Sequence, residues 1–264
     1  MVVLVATVDN HNVDKLLETM NLTSVVTIIV NQYRSGREQS ELVTKERSTI
    51  LHSNRLGLSA SRNDALALAP EHAICQIADD DMVFVDNYQE IVAEAYQEFP
   101  DADVIVFYVD NEVAGLAKKP QKKGRIYHLG AMRTSSVQIS FKKSSILQKG
   151  IVFDERFGIG AKYGSGEENI LLFDALRKGL KIYSYPVKIA TLIDARASYW
   201  DRSNSPESCR KKGAIFKRMT ANWYWLLILQ FAIRKRKMML PEIKIADNIR
   251  YMFQGAREFS RNKD

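Results

Sequence analysis

Cysteine is scarce in this chain of 264 residues: only Cys75 and Cys209 occur. No signal-peptide pattern precedes them. The apolar start at residues 1–8 is too short for one, and Asp9 interrupts it. The expectation is a reduced, cytosolic protein, with Cys75 as inert packing inside an apolar strand. No zinc-finger spacing and no RNA-binding aromatic signature is present, so the basic residues do not point to nucleic acid. No P-loop occurs, and no Gly-x-Gly-x-x-Gly opens a helix after the first strand, which argues against an ATPase or a dinucleotide enzyme. A bilayer span needs about twenty apolar residues. The apolar stretch from Trp223 to Ile233 has eleven.

What is present is a large apolar fraction, 46%, enough for a substantial core. The expected layout is one main domain at 1–198 and a helical, basic-aromatic extension at 199–264. Net charge is +7, from 38 basic and 31 acidic residues. The basic clusters at 118–125, 210–218 and 234–237 favour anionic partners such as lipid or diphosphate.

Unbroken β-branched runs predict strands at 2–8, 25–30, 49–52, 74–78 and 104–109. Helical spacing predicts helices at 14–20, 56–69 and 87–99, with the polar stretch 33–47 as a loop. Strands alternating with helices at this spacing predict an α/β fold with a mainly parallel sheet.

The chain is organised around Ile74-Cys75-Gln76-Ile77-Ala78-Asp79-Asp80-Asp81. A buried strand ends in three adjacent carboxylates, whose mutual repulsion requires a cation or strong donors. Ligands of open α/β sheets sit beyond the carboxyl ends of the strands. Magnesium is held by one or two carboxylates plus substrate phosphates. One reading is therefore a metal–diphosphate site. The other is an acidic turn before the next helix, with Asp86 as its N-cap. Arg62, in the helix that follows the third strand, either offers a fork of donors to a phosphate or is simply exposed. Glu167 and Glu168 either favour a helix start or supply acid–base chemistry.

The motifs, in order, resemble a GT-A glycosyltransferase of glycosyltransferase family 2. They are Gly57-Leu58-Ser59-Ala60-Ser61-Arg62-Asn63, the Asp79–Asp81 triplet, Phe153-Asp154-Glu155-Arg156-Phe157-Gly158, and Gly164-Ser165-Gly166-Glu167-Glu168. The resemblance spans roughly residues 1–190 and implies a GT-A, Rossmann-like, mixed and mainly parallel sheet flanked by helices. It implies that Thr7, Asp9, Asn31, Arg62, Asp79 and Asp80 bind the nucleotide sugar. It further implies that Asp81, with Asp79, holds Mn2+ or Mg2+. Glu168 would be the general base, and Glu167 would orient the acceptor. Two departures stand out. Ala6-Thr7-Val8-Asp9-Asn10 replaces the family's Pro-x-Tyr-Asn-like turn. After the last strand, where some relatives supply a histidine ligand, this chain has Leu192-Ile193-Asp194-Ala195-Arg196, so a further ligand would be Asp194 or none. The Gln-x-x-Arg-Trp motif of processive synthases is absent, which implies non-processive transfer; inversion is expected from the family.

The basic segment 112–132 is expected to loop over the acceptor side, with His128 structural or substrate-binding and a strand at 137–141 beneath. The aromatic, basic stretch 223–237 either lies in a membrane interface or packs against the domain or a second copy. A second amphipathic helix is expected at 243–259. The partners implied are a nucleotide-sugar donor, UDP-sugar favoured, and a glycan or polyprenyl-diphosphate-linked acceptor for a surface polysaccharide. An anionic membrane surface on the inner face of the cell membrane and a homo-oligomer are further expectations. The competing readings are a sugar-phosphate nucleotidyltransferase, whose glycine-rich loop is missing, and an inactive GT-A-like scaffold partner of another transferase.

Overall fold

The computed structural model describes residues 1–35, 39–111, 120–193, 205–234 and 244–261. The first half runs β1 (Val2–Val8), α1 (Val13–Thr19), β2 (Thr27–Gln32), β3 (Glu41–Thr44), β4 (Ser48–Ser53), α2 (Leu58–Leu68), β5 (Ile74–Asp79), β6 (Met82–Phe84), α3 (Tyr88–Glu98) and β7 (Val104–Asn111). Then come β8 (Gly124–Ile126), α4 (His128–Ala131), a 3-10 turn (Ser136–Gln138), β9 (Ile139–Lys142), α5 (Lys143–Gln148), α6 (Glu167–Arg177) and β10 (Ile182–Leu192). Three helices close the chain: α7 (Pro206–Thr220), α8 (Tyr224–Arg234) and α9 (Ile245–Arg261).

The strands form a single sheet in the order β3-β4-β2-β1-β5-β9-β7-β10-β6, with β8 paired to β10. The neighbours β4, β2, β1 and β5 are parallel. The antiparallel β9 separates them from β7 and β10, which are parallel to each other. Six strands thus share one direction, as expected for a mainly parallel α/β sheet. Pro186 sits inside β10, where the register with β7 shifts between Tyr185 and Lys188. A proline cannot donate to a regular ladder, so it falls at such an irregularity.

Successive strand residues point to opposite faces. Val2 and Leu4 of β1, Ile28 and Val30 of β2, and Cys75 and Ile77 of β5 enter one core with α2 and α6. Val3, Val5, Ile29 and Ala78 enter the other with α1 and α3. This two-sided burial is why the central strands are apolar without alternation.

The expected elements lie within a few residues of those observed. Four differences have physical causes. The polar loop 33–47 contains β3, a short and mostly exposed edge strand that carries no apolar signal. The basic segment after residue 119 contains β8 and α4 rather than a plain loop. Asp86 does not cap α3; that helix starts from Asn87 without a side-chain cap, and Asp86 accepts a bond from Asn21 at 2.8 Å. The strand expected at 137–141 begins only after the 3-10 turn.

The closing helices share a core with the sheet. Phe216, Met219, Leu227, Ile228 and Met252 belong to the same apolar cluster as β1 and β5. Ser205 caps α7, accepting from the Ser208 N–H at 3.2 Å, and Pro206 occupies the first turn. Helices α7 and α9 cross backbone to backbone: a Cβ on Gly213 would overlap the Met252 carbonyl, and one on Gly255 the Arg210 carbonyl.

Candidate active site

Three parallel strands bring polar residues to one end of the sheet. In register, Thr7 of β1 lies beside Asn31 of β2, and Ala6 beside Asp79 of β5. The carboxylate triplet follows as the turn between β5 and β6. Thr7 Oγ1 donates to Asp80 Oδ2 at 2.7 Å. The last described residue of the β10 segment, Ile193, donates its N–H to the Asp81 carbonyl at 3.0 Å. The third-ligand candidate, Asp194, lies outside the described residues.

Arg62 joins this knot to α6. Its Nη1 donates to Glu167 Oε1 at 2.8 Å. Its Nη2 donates to Asp79 Oδ1 at 3.1 Å and to Ser136 Oγ at 2.9 Å. The guanidinium lies 5.7 Å from the centre of the Phe153 ring. Burial opposes its charge, yet Asp79, Glu167 and Glu168 together hold the Arg62 pKa above its ordinary value. Arg62 is only 2% exposed. It is therefore not an exposed helix arginine. It sits beneath the acid knot as the counter-charge.

Asn31 is also held by the protein. It is fully buried. Its Oδ1 accepts from the Asn10 N–H at 3.1 Å, while Nδ2 donates to the Asn10 carbonyl at 2.7 Å and to the Tyr33 hydroxyl at 2.9 Å. Its amide ties down the loop after β1. Asp9, at φ 52°, accepts from the Arg34 N–H at 3.0 Å and pairs with the Arg34 side chain at 3.8 Å.

Glu167 and Glu168 open α6 behind Gly166, whose φ of 89° is left-handed and whose Cβ would stand 2.8 Å from Ile215 Cγ2. Only glycine fits there. Both glutamates are buried. Burial first, then the neighbouring Glu167, push the Glu168 carboxyl up to about 8, against the pull of Arg62 and Lys212. Glu168, Asn169, Ser165, Met132 and Lys212 line a cavity of about 40 Å3 between α6 and α7.

Motif spelling alone does not reveal why two of these stretches belong together. Asn63 Nδ2 donates to the Phe153 carbonyl, and Phe153 N–H donates to Asn63 Oδ1, both at 2.9 Å. Ser59 donates to the Phe157 carbonyl at 2.6 Å, and Arg55 pairs with Glu155 at 2.8 Å. The segment containing Arg62 is thus docked on the one containing Asp154. Asp154 is not a site residue: Arg156 and Arg218 bond it at 2.8 and 2.7 Å, and against burial these bonds hold its pKa low. Sequence reasoning missed Ser136, for which no signal exists in the sequence. It also missed Ser59 and Asn63, which stand inside a motif already singled out.

Among the described residues, no group of three His, Cys, Asp or Glu side chains is arranged to hold a metal ion. The donor set still fits a hard cation. Half-buried carboxylates stand at the strand ends, and a divalent cation bound mainly through substrate phosphates needs only one or two of them.

No protein-family model matches the sequence, and no curated protein matches it. Solved structures do. S. aureus TarS 1–349 superposes with a TM-score of 0.59 at 12% identity, over 100% of this chain and 92% of that one. Its complex with UDP-GlcNAc gives 0.60 at 12% identity, over 99% and 92%. Its complex with UDP gives 0.57 at 14% identity, over 98% and 71%. This chain shares the fold of these structures, the GT-A fold.

Proposed function

We propose that the protein is a non-processive, inverting glycosyltransferase of the family 2 type. It would move a sugar from a nucleotide-sugar donor, UDP-sugar favoured, to a glycan acceptor, polyprenyl-diphosphate-linked, in surface polysaccharide synthesis. The observation that carries this reading is the buried bridge from Asp79 through Arg62 to Glu167. It ties a strand-end acid knot, suited to a diphosphate site, to a pair of glutamates suited to proton transfer. The UDP and UDP-GlcNAc complexes of the TarS neighbour support the donor class.

In this reading the leaving diphosphate lies over Asp79–Asp81. Mn2+ or Mg2+ held by Asp81, with Asp79, would neutralise the charge that builds there. Thr7 fixes the Asp80 carboxylate, and Arg62 offsets the charge of Asp79 from below. The acceptor hydroxyl loses its proton to Glu168 as it attacks the anomeric carbon. A base whose pKa sits near the working pH is well matched to that task. Glu167, held by Arg62, fixes the start of α6 and so the position of its neighbour.

The test is a binding panel of UDP-, GDP- and dTDP-sugars by calorimetry, with and without Mn2+, on wild type and Asp81→Ala. Metal-dependent binding of one nucleotide class, abolished by the substitution while circular dichroism stays native, is the expected result. No binding of any nucleotide sugar overturns the transferase reading in favour of the inactive scaffold.

A further inference from the structure

Several exposed apolar side chains lie together on α8. On α8, Trp225, Leu226, Leu229 and Ile233 share one side of the helix and are exposed, while Leu227, Ile228 and Ala232 enter the core. Beside the start of α8 stands α4, with Tyr127 65% and Leu129 76% exposed. The junction is aromatic: His128 lies 5.7 Å from the Trp223 ring and 4.9 Å from Phe173. Tryptophan and tyrosine beside leucine and isoleucine are the composition of a membrane–water interface.

Cations predominate along the α4 and α8 segments, while α9, packed on α8, adds Asp247 and Glu258. In sequence, the stretches 113–153 and 208–241 contain no aspartate or glutamate. Arg133 and Arg234 are exposed at the borders of the apolar face. Arg125 and Lys217 lie over the Tyr127 and Tyr224 rings, at 5.9 and 4.4 Å. In sequence, Lys235, Arg236 and Lys237 follow directly.

We infer that this face docks on an anionic membrane surface, with α8 lying in the headgroup layer. Among the described residues no helix is long and apolar enough to cross a membrane; the eleven residues of α8 extend about 16 Å against a hydrocarbon core of about 30 Å. A second copy of the chain is disfavoured because pairing would bring like cations together. An anionic bilayer satisfies both features at once, apolar insertion and charge. The inference stands apart from the transferase reading, but it adds a geometric consequence to it. Phe173, under Trp223 at 6.3 Å, lies on the same helix as Glu168. A docked face would hold the candidate base at a fixed height above the lipid.

The experiment is co-sedimentation with vesicles of phosphatidylcholine, with and without phosphatidylglycerol, at low and high salt. Wild type is compared with a Trp225→Ser/Ile233→Ser variant and with Leu129→Ser. Expected are binding to the phosphatidylglycerol vesicles only, weakening by salt, and a blue shift of tryptophan emission on binding. The double variant should lose about tenfold or more in affinity. Nucleotide-sugar binding, measured on the same samples, should be unchanged, so the two readings fail separately. Equal vesicle binding by the double variant overturns the inference, as does absence of binding by wild type. Sedimentation equilibrium in vesicle-free buffer showing a dimer that these substitutions dissociate would assign the face to a second copy instead.

Discussion

Arg62 and Glu167, 105 residues apart in sequence, form an ion pair at 2.8 Å in which both side chains are buried. The arginine also bonds Asp79 and Ser136, so α2, β5, α6 and the turn before β9 meet at one guanidinium. Removing one partner of a buried pair leaves the other charge uncompensated. That costs about 3–5 kcal/mol. Arg62→Met is expected to lower the urea midpoint accordingly, and Glu167→Gln in the same background should restore part of the loss. An unchanged midpoint in Arg62→Met would show that the bridge does not hold the fold.

Glu168 gives the protein a pH dependence with a definite sign. Its carboxyl rises from 4.5 to about 8 on folding, through burial and the neighbouring Glu167. Between those values the folded state binds more protons than the unfolded one, so stability falls as pH rises. The contribution is complete below about 4.5 and lost on passing about 8. Glu168→Gln should therefore raise the melting temperature at about pH 9 and change it little at about pH 4. The same ionisation predicts transfer rates that increase across the region near pH 8 in wild type. A Glu168→Gln melting profile parallel to wild type would contradict the assignment.

The α7–α9 crossing makes Gly213 sensitive to a single methyl. Its Cβ would overlap the Met252 carbonyl, which is backbone and cannot turn aside. Gly213→Ala is expected to destabilise by about 1–3 kcal/mol, the usual cost of overpacking. Gly179→Ala is the control for handling: its Cβ meets nothing within 4 Å, so only its φ of 83° is strained. Chemical denaturation of both variants separates a steric effect from a conformational one.

The parallel sheet was legible because its strands are unbroken apolar runs and two-sided burial demands that pattern. The acid knot was legible because three adjacent carboxylates after such a strand have no role in packing. Other features carried no such mark. The edge strand β3 is exposed and polar, so nothing in Glu41–Thr44 separates it from a loop. Arg62 reads from sequence as a surface or ligand-facing residue, because arginine is rarely buried. Its burial depends on Glu167 and Asp79, which are distant in the chain. The partners of Asn31 were equally invisible: its amide bonds Asn10 and Tyr33, contacts that no sequence pattern announces. The C-terminal stretch left two alternatives open, packing or interface. One face of α8 is packed and the other exposed, a distinction that its run of apolar residues cannot display.

The two-sided burial of β1 has a consequence for how the chain finds its alignment. A strand that is apolar on both faces can slide by one residue along its neighbours without exposing anything greasy, so hydrophobicity gives it no fixed address. What distinguishes one alignment from the next is the polar tip, where Thr7 meets Asp80 and lies opposite Asn31. The residues gathered for chemistry at the end of the sheet thus also serve as the latch that tells the central strands where to stop.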